Sequence, residues 1–209
     1  SLLSWQIPIH TSNEHMKSRI LNIKVDKILT ELTNYDVLLV PGFQGINSKH
    51  EITTLGRGGS DTSAVAVAAA FNTECIIYTD VEGVYTTDPN LVKNAKKIPQ
   101  ISYEEMLELA SQGAKVLQTR SVELAMRKKT KLSVRSSIKP NKSGTLVTEE
   151  NSKLENNTVS GIAYSKDEAK ITLSRVLDKP GVSSRIFGPL SKGNINVDMI
   201  LQNVSQDGK

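Results

Sequence analysis

The sequence predicts an α/β protein in which a mostly parallel sheet is sandwiched by helices, followed by a smaller, partial α+β unit. Three observations lead there. Runs of strand length occur at 35–40, 75–78 and 132–134, and 75–78 is short and unbroken, the pattern of a strand buried on both faces. Segments that are alanine-rich or repeat apolar residues at helical spacing lie between them. A polar stretch at 139–158 then precedes a second β, α, β pattern. The 209 residues make one to two domains at roughly 150 residues each, enough to bury a real core.

Each element has its reason. Residues 26–32 form a short helix entered at Asp26 as its cap, and the strand 35–40 is stopped by Pro41 and Gly42. Residues 61–71 are small enough for a closely packed, buried helix. The strand 75–78 runs out into Thr79 and Asp80. The loop 81–90 carries Gly83 and Asp88–Pro89, both turn formers. In 103–111, Tyr103, Met106, Leu107 and Ala110 repeat at helical spacing until Gln112 and Gly113 break the run. A further helix covers 114–128, before the strand 132–134. Beyond the polar stretch, 169–177 alternates as a strand, a helix runs from Pro180 to Leu190 with Gly193 as its stop, and 195–204 is a second strand. The domains so read are 1–150, a linker at 151–168, and 169–209.

Composition excludes several classes. The net charge of +4 is spread along the chain with no polybasic arm, so nucleic acid is not an expected partner. The longest apolar stretch, 64–71, is far below the ~20 residues of a membrane span. The single cysteine, Cys75, cannot form an internal disulfide, and no signal peptide opens the chain, which together predict a cytoplasmic protein.

The chemistry concentrates in two stretches. Residues 53–61 read TTLGRGGSD and join a loop to a helix start. Glycines let the backbone approach a ligand, the free N–H groups of a helix N-terminus favour an anion, and Arg57 offers a fork that fits a carboxylate. The spacing matches neither the dinucleotide fingerprint nor the P-loop. On residue types alone, a tight turn in which Ser60 or Asp61 caps the helix fits equally well. The second stretch is Thr79–Asp80 with Gly83, Tyr85 and Asp88–Pro89 after it. It lies where open α/β sheets bind ligands, and its hydroxyls and ring suit a nucleoside, though an exposed turn is the plainer reading. Lys115, at the first turn of the predicted helix 114–128, is placed to neutralise phosphate. His10, His15 and His50 lack metal-ligand spacing, Glu104, Glu105 and Glu108 read as the wet face of a helix, and the basic run 127–131 reads as a solvated helix end. No residue is assigned to a metal.

Three strings in this order, TTLGRGGSD at 53–61, YTDVEGVYTTDP at 78–89 and GAKVLQTRSVELA at 113–125, closely resemble aspartokinases. Residues 1 to about 137 resemble the carboxyl half of an amino-acid-kinase domain. Residues 169–205 look like the beginning of an ACT regulatory domain, with its end not reached. The resemblance implies ATP-dependent phosphorylation of the L-aspartate side-chain carboxylate to β-aspartyl phosphate, the first step toward lysine, threonine and methionine. ATP and Mg2+ would be the cofactors. It places Arg57, Gly58, Gly59, Ser60 and Phe43 on the substrate, and Thr79, Asp80, Tyr85 and Lys115 on the nucleotide. Asp61 and Lys115 take catalytic positions. Asp61 would orient cationic groups, since a carboxylate nucleophile has no proton to lose. Asn90 stands where an arginine often follows the Thr–Asp–Pro segment. In the ACT-like part, Asp178, Gly181, Ser183 and Gln202 match positions that bind a feedback amino acid, lysine or threonine, and a homo-oligomer through this region is implied.

Aspartokinases begin with a Lys–Phe–Gly–Gly–Thr segment, and no Lys–x–Gly–Gly occurs in these 209 residues. The expectation is therefore a fragment that alone does not phosphorylate aspartate. Two alternatives stand beside this reading: another amino-acid kinase, such as one acting on glutamate, and a noncatalytic module binding lysine or threonine.

Overall fold

The computed structural model describes residues 1–2, 6, 9–149, 159–164, 169–174, 176, 179–193, 195, 197 and 200–201. The chain divides into two compact units, Ser1–Ser165 and Lys166–Lys209.

In the first unit the order is β1 (Ile9–Thr11), β2 (Ile20–Ile23), α1 (Val25–Leu32), β3 (Gln44–Ile46), β4 (Ile52–Thr54), α2 (Gly59–Ala70), β5 (Cys75–Thr79), β6 (Gln100–Ser102), α3 (Tyr103–Ser111), α4 (Thr119–Lys128), β7 (Leu132–Ser136) and β8 (Thr145–Thr148). The α/β class holds, with the strands divided between two four-stranded sheets, β2-β1-β3-β4 and β5-β7-β8-β6. Pairings are mixed. β1–β3, β5–β7 and β6–β8 are parallel, while β1–β2, β3–β4 and β7–β8 are antiparallel. The strands β1 to β4 and β6 are three or four residues long, too short for periodicity to reveal them in the sequence.

The helix α2 holds the unit together. Its Val65 and Ala68 enter a core with Val122, Ala125, Leu132, Val134 and Val147, while Ala66 enters a second core with Ile9, Ile23, Ile28 and Ile46. A helix apolar on several faces is a helix buried on several faces, and small side chains let both layers approach it. Each fully buried Val or Ile contributes about 1.5–3 kcal/mol relative to exposure. The start of α3 is fixed by a capping box: Ser102 Oγ accepts from the Glu105 N–H at 3.1 Å, and Glu105 accepts from the Ser102 N–H at 3.1 Å. Glu105 is thus a structural group, not part of a wet face.

Three local expectations change. Asp26 does not cap α1: Lys24 is the N-cap residue and Asp26 lies in the first turn, where its charge still meets the helix dipole. Residues 35–40 are not a strand. Val37 and Leu39 are 82% and 68% exposed, and a strand needs a ladder on which to form; among the described residues Leu39 O accepts one backbone bond, from the Leu2 N–H at 2.9 Å. Finally, α4 begins at Thr119 and not at 114. Gly113 at φ 105° ends α3, the Ala114 N–H closes back on Leu109 O at 2.9 Å, and the chain stays non-helical until Gln118. Lys115 therefore sits in a connecting loop, not in a helical turn.

Thr145 anchors the loop after β5. Its buried hydroxyl accepts from the Val84 N–H at 2.8 Å and donates to Ile98 O at 2.6 Å. Next to it, a Cβ on Gly144 would meet Val134 O at 1.7 Å, so the β7–β8 hairpin closes only on glycine.

In the second unit α5 spans Val182–Lys192, with Gly181 at φ 88° before it and Gly193 at its end, close to the predicted helix. The described residues of 169–177 and 195–204 carry no strand, and Ile171, Leu173, Ile195 and Ile200 among them are exposed. Alternation names the face that could be buried; a ladder partner must supply the strand.

Candidate active site

The turn between β4 and α2 carries Arg57. Gly56 and Gly58 have φ of 78° and 68°, the left-handed region that glycine enters without a Cβ penalty. Beneath them Leu55 is buried, and its N–H donates to Phe43 O at 2.9 Å. Phe43 closes one side: a Cβ on Gly59 would lie 2.8 Å from the Phe43 ring. Phe43 itself holds φ at 68°, and its N–H donates to Ser63 Oγ at 3.3 Å. For a bulky residue that conformation costs about 1–3 kcal/mol and is kept where surrounding contacts over-determine it. Arg57 and Ser60 are exposed, and Arg57 has no ion-pair partner among the described residues.

No side chain caps α2, so neither Ser60 nor Asp61 does the work that residue type alone allowed. The first-turn N–H groups at Ser60 and Asp61 have no intrahelical partner. Asp61 is partly buried and accepts from the backbone N–H of Gln118, with Ser60 Oγ at 3.4 Å. Burial raises its carboxyl above the ordinary 3.8, and these two bonds offset part of the rise. A second contact runs the same way, since a Cβ on Gly58 would meet Gln118 Cγ at 2.2 Å. The Arg57 turn is thus clipped to the N-terminus of α4, and the segment leading there carries exposed Lys115.

The tip of β5 forms the other part. Thr79 Oγ1 donates to Asp80 Oδ1 at 3.0 Å, while Thr79 O accepts from the Ser137 N–H at 2.8 Å. Tyr85, partly buried, bridges to Lys97 across an antiparallel contact. Asp88 accepts from the Asn90 N–H at 2.8 Å and from the Tyr164 hydroxyl at 3.1 Å. The Asn90 bond above all holds its carboxyl below the usual range, with Tyr164 and the charge of Lys115 adding to it. Lys115 therefore lies within electrostatic reach of the Asp88 loop. Among the described residues no hydrogen bond or ion pair joins Asp80 to the Arg57 turn.

Gln118 was not among the residues singled out from sequence. The signal that could have found it is its place immediately before a helix, where a backbone N–H is free to meet a carboxylate. Of the ACT-like positions, Gly181 precedes α5 and Ser183 lies exposed in its first turn, whereas Asp178 and Gln202 lie outside the described residues. The described residues contain no group of three or more His, Cys, Asp or Glu that could hold a metal, and no helix among them is long and apolar enough to cross a membrane.

The raised Asp61 carboxyl has a consequence for stability. A folded-state pKa above the unfolded one means stability that is full below the ordinary value and lost as pH rises through the folded one. Asp61→Asn keeps an acceptor for Gln118 but abolishes that titration. The Tm advantage of the Asn variant is expected to shrink as pH is lowered from 7 toward 4; an advantage constant across that range, measured by thermal denaturation, contradicts the assignment.

The chain belongs to the amino acid kinase family: the family model matches residues 2–136, and an ACT domain model matches 174–206. Among its relatives the chain is similar to the aspartate kinase of Pseudomonas fluorescens (strain SBW25), 52% identical over 204 residues, covering 97% of this chain and 49% of that protein. It is also similar to the aspartokinase of Helicobacter pylori (strain J99), 47% identical over 213 residues, covering 100% of this chain and 53% of that one. The chain spans about half the length of the curated relatives it matches. Among solved structures, E. coli aspartokinase III in complex with aspartate and ADP superimposes with a TM-score of 0.73 at 31% identity, covering 94% of this chain and 45% of that one.

Proposed function

We propose that this chain is part of an aspartate kinase, an enzyme in which a side-chain carboxylate oxygen of L-aspartate attacks the γ-phosphorus of ATP and ADP leaves. One P–O bond forms, one breaks, and no proton is removed from the nucleophile. The observation that carries the reading is the clip between the Arg57 turn and Gln118, which sets a free guanidinium and unpaired helix N–H groups beside the Lys115 loop. Relatives named aspartate kinase across 97% of the chain, and a similar structure bound to aspartate and ADP, support it.

In this reading Arg57, with Ser60 and the Gly58–Gly59 backbone, holds the α-carboxylate, and Phe43 walls the pocket. Asp61 positions the turn through Gln118. Lys115 neutralises the phosphates, and Thr79, Asp80 and Tyr85 meet the nucleoside. Phosphoryl transfer asks a protein mainly for positioning and charge neutralisation, which this set supplies. Mg2+ would come with the phosphates of ATP, a mode needing one or two carboxylates and not a protein cage. The ACT-like segment would bind a feedback amino acid, lysine or threonine, through Gly181, Ser183, Asp178 and Gln202, and would pair with a second copy.

Thermal shift of the chain with aspartate, glutamate, lysine and MgADP tests this, because a ligand stabilises only the state it binds. Aspartate and MgADP are expected to raise Tm, and Arg57→Lys to weaken aspartate about tenfold, because an ammonium cannot grip a carboxylate with two parallel bonds. Stabilisation by lysine with none by aspartate or MgADP refutes the kinase reading.

A further inference from the structure

A cavity in the first unit lies apart from the Arg57 site. It has a volume of about 780 Å³ and is walled by β2, α2 and α4, and none of Arg57, Asp61, Asp80 or Lys115 lines it. Five cationic side chains line it, Lys17, Arg19, Arg120, Arg127 and Lys128, against the single carboxylate of Glu123. That carboxylate is already engaged by Arg127 at 3.9 Å. The floor is apolar, from the small face of α2 at Ala66, Ala69 and Ala70. Of these five only Arg120 lies in a string that carries the family resemblance, 113–125, and none of them has a role in the proposed kinase site. The sequence reading of 127–131 as a solvated helix end also leaves out Lys17, Arg19 and Arg120, which only the fold brings there.

Arg120 is held in place from below. Its guanidinium donates to Leu55 O and to Ser18 O, both at 2.8 Å, so the charge is fixed by neutral carbonyls, with Glu123 offsetting part of it from a distance. Burial lowers its pKa first, and the like charge of Arg19 lowers it further, which places two guanidinium groups within electrostatic reach of each other. Like charges gathered at a concave surface concentrate potential and repel, and a shared anion removes that cost. Concave, half-apolar cavities of this volume are the ordinary form of a small-molecule site.

We propose that this cavity binds a small, multiply charged organic anion, its phosphate or carboxylate groups on Arg19, Arg120 and Arg127 and its apolar part on the alanine floor. Phosphate and carboxylate share this chemistry, and the arms of the test separate them. Isothermal titration of the chain at low ionic strength uses tripolyphosphate in one arm and citrate in the other. The variants are Arg19→Ala with Arg127→Ala, both exposed and so free of the structural role of Arg120, and Arg57→Ala with Lys115→Ala as the control at the kinase site.

At least one of the two anions is expected to bind, at least tenfold more weakly in the Arg19/Arg127 variant and unchanged in the control, with affinity falling as salt rises. Tighter binding of tripolyphosphate assigns a phosphorylated ligand, and of citrate a carboxylate one. Absence of binding by both anions overturns the proposal. So does binding lost only in the Arg57/Lys115 variant, which reports the kinase site instead and leaves that reading intact. A circular-dichroism melt of each variant confirms that it is folded before titration.

Discussion

Replacing Gly58 by alanine is expected to cost about 2–5 kcal/mol of stability and to abolish detectable aspartate binding. Two effects add. An alanine at φ 68° pays about 1–2 kcal/mol for its left-handed backbone. The new Cβ would also lie 2.2 Å from Gln118 Cγ and 2.4 Å from Gln118 Cβ, so Gln118 must move, and overpacking of this kind costs about 1–3 kcal/mol. Moving Gln118 also withdraws the backbone N–H that Asp61 accepts. A double-mutant cycle separates the parts: Gln118→Gly removes the clash but not the backbone strain, so Gly58→Ala/Gln118→Gly is expected to recover roughly half the lost stability. Denaturant melts of the four proteins measure it. Strict additivity of the two single changes would show that the turn and α4 are not clipped together.

The second large effect is expected at Thr145. Thr145→Val preserves shape but leaves the Val84 N–H and Ile98 O without their partner in a buried place. Each orphaned group costs about 1–3 kcal/mol, so roughly 2–6 kcal/mol is expected. Because Val84 and Ile98 flank the Tyr85–Lys97 bridge, the loop carrying Tyr85 and Asp88 loosens with it. Amide exchange of residues 83–98 is expected to accelerate well before global unfolding. Thr145→Ser keeps the hydroxyl and is expected to lose under about 1.5 kcal/mol. If valine and serine variants melt alike, the hydroxyl is not the anchor.

Much of the local structure around the candidate site was legible because it is local. Gly56 and Gly58 stand where the chain turns with positive φ, and a helix follows at once, so the turn could be read from nine residues. The strand end at Thr79 was legible for the same reason, since an apolar run and its polar exit are contiguous. The helix 103–111 matched residue for residue, because its apolar period is written within a few turns and ends at a break, although the Ser102–Glu105 box that starts it was read only as a wet face. The strand expected at 35–40 failed on the opposite ground: apolar residues permit a strand, but only a neighbouring ladder makes one. Lys115 shifted out of its helix because Gly113 and the closure of Ala114 on Leu109 end α3 in a way no propensity reports.

What the sequence determined by itself, then, is the set of short-range commitments: where glycine frees a turn, where a cap starts a helix, which faces are apolar, and which charged groups lie near a ligand-sized loop. What only the tertiary structure decided is which of these meet. Gln118 lies sixty residues from Gly58 and Arg120 about a hundred from Arg19, and neither spacing carries any local signal. The physical reason is that side chain and backbone preferences act over a few residues, whereas the packing of α2 between two cores fixes distances across the whole fold.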